Sequence, residues 1–222
     1  IYIIGKVKGS YRTQHLIKFL LDGGYRIYYN SSTITIFIHD RKGIKRLIRL
    51  ILRAFDIIVN FFQKTYNILI SEIVILTAMC NDRQFELFFA KLLKKKIITD
   101  FYISMYDTRV LDYKTVKKSS YKAKMLLRND HNIVSKADVT LFLNRTEANR
   151  YLRIIKIPFN PKKHLIVPLV VEETIKCELL FFKNKRDTMN ICWWGNYIPL
   201  HGLHKIIKAC ELLKDNFHVD FH

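Results

Sequence analysis

Acidic residues are scarce in this chain. Asp and Glu number 19 against 38 Lys and Arg in 222 residues, a formal net charge of +19 at pH 7. Such an imbalance points to an anionic partner: nucleic acid, an acidic membrane surface or a phosphorylated ligand. Cysteine is also sparse. Cys80, Cys177, Cys192 and Cys210 lie far apart, three of them in apolar runs, and read as reduced thiols of a cytoplasmic protein. No charged, apolar and small-residue series of the secretory type opens the sequence. Long uninterrupted apolar runs are missing too. The richest, roughly residues 44 to 79, is broken by Arg49, Arg53, Asp56, Lys64 and Glu72, which argues against a spanning helix. Seven glycines, four prolines and 50% hydrophobic residues exclude low-complexity disorder and support a packed core.

The hydrophobic pattern is that of alternating strands and helices. "IYIIGKV" is a β-branched run, Leu16, Ile17, Leu20 and Leu21 recur at helical spacing, Gly23 and Gly24 stop that helix, and Tyr25 to Tyr29 is extended again. The alternation continues. "SEIVILTA", "KIITDFY", "DVTLFLN" and "HLIVPL" read as strands, with "NDRQFELFFAKLLKK", a helix closing at "NIVSKA", and "RTEANRYLRII" between them. Strands apolar on both faces and separated by helices predict an α/β fold with a doubly wound, mostly parallel sheet. Periodicity weakens after Pro168, so a Rossmann-like domain is expected over 1–170, a linker over 171–187, and a second, incomplete Rossmann-like unit over 188–222 that opens with "MNICWW". A chain that opens on Ile1 and stops in the extended "NFHVDFH" is expected to be a segment of a longer protein.

Several signatures are absent. No G-x-G-x-x-G follows the first strand, and there is no G-x-x-x-x-G-K-[ST] and no G-x-S-x-G. Classical dehydrogenase, P-loop and α/β-hydrolase chemistries are thereby set aside. No D-x-D pair is available to clamp a metal-bound nucleotide. His201 with His204, and His218 with His222, lack partners at metal-ligand spacing, so neither a metal nor a resident cofactor is expected.

What the sequence does offer is "WWGNYIPLHGLHKIIKACELL". A buried strand ends at Gly195, which permits a turn. Gly202 lets backbone approach a ligand, and Leu203, Ile206, Ile207, Cys210 and Leu213 then form one apolar helical face. At the carboxyl end of a parallel strand, a helix N-terminus stabilises a diphosphate through free N–H groups and its dipole. Glycines that serve only the turn fit the same residues.

The stretch resembles the first strand, loop and helix of the C-terminal domain in GT-B glycosyltransferases of family 4, whose pattern is G-R-x-x-x-x-K-G before an amphipathic helix. Gly195 and Gly202 hold the glycine positions, Asn196 stands for the usual Arg and His201 for the usual Lys. "KGSYRTQHLIKFLLDGGYRIYYN" is similar to that family's first glycine loop, helix and second strand, which places Gly9 and Ser10 toward the interdomain cleft. "ADVTLFLNRTEANRYL" and "HLIVPLVVEET" resemble its later strand, helix and passage into the linker. The resemblance implies a metal-independent, retaining transfer of a sugar from a nucleotide-diphosphate sugar to a glycan or lipid-linked acceptor. It also implies donor contacts at Gly9, Ser10, Gly195, Asn196, His201 and Gly202, and acceptor-side residues at Asp100, Tyr102, Asp107 and Arg109.

Lys42, Lys45, Arg46, Arg49 and Arg53 fall within an arc of about 100° on a helix expected from Lys42 to about Phe62. Two readings coexist: a sheet-packing helix with a solvated face, or a basic amphipathic helix drawn to an anionic leaflet at the inner face of the membrane. Two other functions compete with sugar transfer. One is a basic nucleic-acid-binding protein, against which the absence of any recognised motif counts. The other is a non-catalytic relative that binds a glycan or partner, favoured by Asn196 and His201.

Overall fold

The computed structural model describes residues 1–5, 7, 10–29, 44–169, 188–191, 202–213 and 218–221, with side chains of 44–54, 56, 188–191 and 218–221 left aside. Six short strands form one parallel sheet: β1 (Tyr2–Ile4), β2 (Tyr28–Tyr29), β3 (Ile73–Leu76), β4 (Lys96–Asp100), β5 (Val139–Phe142) and β6 (His164–Ile166). The order is β2-β1-β3-β4-β5-β6, with every adjacent pair parallel. The connections carry α1 (Tyr11–Asp22), α2 (Ile44–Ile70), α3 (Gln84–Leu92), α4 (Tyr121–Lys136) and α5 (Arg145–Ile154), the α/β alternation expected from the sequence.

Register explains the core. Tyr2 lies opposite Val74, and Val74 opposite Ile97, so one face carries a continuous apolar row. The same core cluster holds Leu87 and Ala90 of α3, Ile133 and Val134 of α4, and Ile68 of α2. Burying each large side chain of this kind contributes about 1.5–3 kcal/mol. Ile3 and Ile75 are equally buried on the opposite face, which explains why the strands read as apolar runs rather than alternating ones.

Helix starts follow local chemistry. Ser10 caps α1 by accepting from the Thr13 N–H, Ser120 caps α4 through Ala123, and Asn144 caps α5 through Glu147 at 2.8 Å. Between Gly43 and Gly195 the chain has no glycine. Turns in that stretch that need a left-handed residue use Met79, Lys94, Lys114 and Lys156 instead, all at positive φ.

Two features depart from the sequence reading. α2 runs to Ile70 rather than stopping near Phe62, because nothing between Gly43 and Ser71 breaks it. After β4, Asp107–Asp112 forms a π-helical turn that no periodicity announced.

Near the C-terminus, β7 (Thr188–Ile191) and β8 (His218–Phe221) pair in parallel in a two-stranded sheet of their own, connected through α6 (Leu203–Leu213). Positions 192–194 of the expected "MNICWW" strand and the expected linker over 171–187 lie outside the described residues.

Candidate functional site

The chain leaves β1 for β2 on one side and returns to β3 on the other, so the strand order reverses between β1 and β3. In open parallel sheets the crevice at such a reversal, beyond the carboxyl ends of the strands, is where ligands bind. A cleft of about 340 Å³ opens there, lined by Ser10, Tyr11, Arg12 and Thr13 from the start of α1, Ala78 and Met79 after β3, Tyr102 after β4, Leu143 after β5 and Leu169 after β6.

Gly5 makes the close approach of β1 to β3 possible. Its φ is +134°, and a Cβ there would lie 1.9 Å from Thr77 Oγ1 and 2.6 Å from Cys80 Sγ. Thr77 Oγ1 and Cys80 Sγ both donate to the Ile4 carbonyl, and burial pushes the Cys80 thiol up. Met79, next along the wall, has φ +62°, a conformation costly for a residue with a long side chain.

Arg12 dominates the electrostatics. Its Nε donates to both carboxylate oxygens of Asp100 at 2.8 Å, and Nη1 donates to the Val167 carbonyl at 2.7 Å. One side chain thus ties the first turn of α1 to the ends of β4 and β6. The guanidinium also lies 5.6 Å from the centre of the Tyr102 ring. The pair is withdrawn from water, with side-chain exposures of 9% for Arg12 and 2% for Asp100. Burial raises the Asp100 pKa, opposed by the charge and hydrogen bonds of Arg12. Arg12 Nη2, however, is buried with no hydrogen-bond partner among the described residues. A buried guanidinium N–H left without an acceptor is energetically costly.

Behind the cleft, Asp130 of α4 holds the loops in place. Its carboxylate accepts from Asn81 Nδ2, from Ser104 Oγ at 2.7 Å and from the Tyr106 N–H at 3.0 Å, joining the turns after β3 and β4 to one helix. Asp130 is fully buried, which raises its pKa against those three bonds.

The structure places the expected site residues unequally. Ser10 and Tyr102 line the cleft, whereas Asp100 reaches it only through its partner Arg12. Asp107 turns instead to Arg150 of α5, 2.7 Å away, and Arg109 is exposed on the π-helical turn. Both carboxylates are held by arginines, Asp100 by Arg12 and Asp107 by Arg150. Gly202 precedes α6 with φ +64°, and an added Cβ would meet only Lys205 Cδ at 3.9 Å. Gly9, Lys42, Gly195, Asn196 and His201 lie outside the described residues, while Lys45, Arg46, Arg49 and Arg53 lie on α2 with side chains not described.

Sequence reasoning missed Arg12, Gly5 and Met79. The signal for Arg12 was present: a basic residue in the first turn of the helix that follows the first strand. Nothing in the sequence marked Gly5 or Met79. Among the described residues no cluster of His, Cys, Asp or Glu could hold a metal ion. The fold is α/β with a Rossmann-like parallel sheet, and a cleft opens at its carboxyl edge. No protein-family model and no curated protein matches the chain.

Proposed function

We propose that this chain belongs to a GT-B type glycosyltransferase, supplying the acceptor-side domain and the opening of the donor-binding domain. The observation that carries the reading is the carboxyl-edge cleft itself, walled by Arg12 beside the capped N-terminus of α1, with the Arg12 Nη2 left without a hydrogen-bond partner among the described residues. A donor diphosphate is the ligand such a site suits. An oxyanion accepts from guanidinium N–H groups and is further stabilised by the helix dipole.

In this reading Gly9, Ser10 and Arg12 contact the diphosphate from the first domain, and Gly195, Asn196, His201 and Gly202 from the second. Tyr102 borders the acceptor, a glycan or a lipid-linked sugar. Catalysis comes from holding the acceptor hydroxyl against the anomeric carbon while fixed donors stabilise the departing diphosphate, with retention of configuration and without a metal.

The test is a panel of nucleoside diphosphates and their sugars with the natural full-length protein, following saturable binding by calorimetry and transfer of labelled sugar. Binding and transfer that remain in the presence of chelator support the proposal. No saturable binding to any member of the panel would sink it.

A further inference from the structure

Over Phe55–Leu69, helix α2 presents an apolar side to solvent. Inward, Ile68 is fully buried, Asn67 nearly so, and Lys64 reaches Glu86 of α3 at 3.1 Å. Outward, Phe55, Ile58, Phe62, Tyr66 and Leu69 recur at spacings of three and four, a single stripe whose members are 48–66% exposed. The sequence continues the spacing upstream at Ile44, Leu47, Ile48, Ile51 and Leu52. α3 extends the patch sideways: the Phe61 and Phe85 rings pack 5.1 Å apart, and Phe88 and Leu92 are exposed beside them. A packed, contiguous aromatic and aliphatic surface of this kind is not the scattered exposure of an ordinary monomer face.

The charge on the same helix selects the occupant. Apart from Lys64, which is paired with Glu86, α2 carries four basic residues, Lys45, Arg46, Arg49 and Arg53, against the single acid Asp56. No helix among the described residues is long and apolar enough to cross a membrane. A second copy would bring two such basic helices together in a protein of net charge +19, whereas an anionic lipid surface attracts them. We infer that α2, with the neighbouring face of α3, lies in the plane of an anionic bilayer surface, its Phe55–Leu69 stripe seated at the boundary of headgroups and acyl chains. The basic residues lend charge attraction, but the apolar stripe is the part that enters the lipid. This inference stands independently of the sugar-transfer reading, since it uses no residue of the cleft.

The experiment is flotation of the natural full-length protein with vesicles of phosphatidylcholine alone or with 30% phosphatidylglycerol, at low and high salt. Wild type is expected to bind the anionic vesicles and to lose much of that binding at high salt. The double variant Phe55→Ser with Phe62→Ser is expected to bind at least tenfold more weakly with an unchanged or raised melting temperature, because both side chains are already solvent-exposed. A Phe62→Trp variant should show blue-shifted emission on adding anionic vesicles and none on adding neutral ones. Three results would overturn the inference. One is no vesicle binding. Another is binding by the double serine variant equal to wild type. The third is a concentration-dependent dimer that the serine variant dissolves while the Phe62→Trp emission ignores lipid.

Discussion

Two arginine–aspartate pairs stand at the carboxyl edge of the sheet, and they differ in what they leave over. Arg12 and Asp100 are sequestered together, and the guanidinium keeps one buried nitrogen without a partner among the described residues. Arg150 and Asp107 are as close, at 2.7 Å against 2.8 Å, and Asp107 is buried too, but the Arg150 side chain is 53% exposed, so water can serve its free nitrogens. A short distance therefore says little about role. What distinguishes them is the burial of the arginine: Arg12 is withdrawn from water, whereas Arg150 is not.

The sharpest way to separate the pairs is to remove one partner from each. Arg12→Met strands the Asp100 carboxylate in the interior and is expected to cost about 3–5 kcal/mol of folding stability, read from chemical denaturation. Replacing both, as Arg12→Met with Asp100→Leu, removes the uncompensated charge and should recover most of that loss. If the single variant is as stable as wild type, the buried pair has been misjudged.

The pH dependence of the same variant follows from the direction of the Asp100 shift. A carboxyl whose folded pKa is raised binds more protons folded than unfolded in the range just above 3.8, so its effect on stability worsens as pH rises through the folded pKa. Removing Arg12 takes away the influence that held the pKa down. The stability deficit of Arg12→Met relative to wild type should therefore narrow as pH falls from 7 toward the carboxyl range. A gap that widens on acidification would mean that Asp100 is not the group left charged.

Gly202 contrasts a glycine-started helix with the arginine-anchored α1. Its φ of +64° strains alanine by about 1–2 kcal/mol although space is open around it, so Gly202→Ala lowers stability whatever the loop binds. Gly202→Asn, which tolerates this conformation better, should cost less. Equal melting temperatures for the two variants would contradict the backbone explanation. The smallest effect belongs to Arg150→Ala, expected at about 1 kcal/mol or less by the same denaturation measurement. A loss matching that of Arg12→Met would erase the contrast between the pairs.

The sequence showed the alternation of strands and helices because strands buried on both faces leave unmistakable apolar runs, as at Ile73–Leu76 and Lys96–Asp100. It showed the ends less well. α2 outran its expected stop because the apolar spacing persists to Ile70, and the π-helical turn at Asp107–Asp112 follows no sequence period. Periodicity also gives two faces to a helix without saying which one meets the sheet. The basic arc of α2 drew notice, while the outward apolar stripe became visible only once Ile68 and Asn67 were seen to point inward. Asp100 and Tyr102 were picked out as strand-end residues, but Arg12, some 88 positions from its partner Asp100, depends on tertiary placement.

The central claim is that the unmet donor of Arg12 receives a phosphate oxygen of a nucleotide-diphosphate sugar. Calorimetric titration of the natural full-length protein and of its Arg12→Met, Asp100→Leu variant with nucleoside diphosphates tests this directly, with melting temperatures measured alongside. A lost charged hydrogen bond is worth about 1.5–3 kcal/mol, so the account predicts affinity roughly 10- to 150-fold weaker in a variant that still unfolds cooperatively. Unchanged affinity in that folded variant would contradict it.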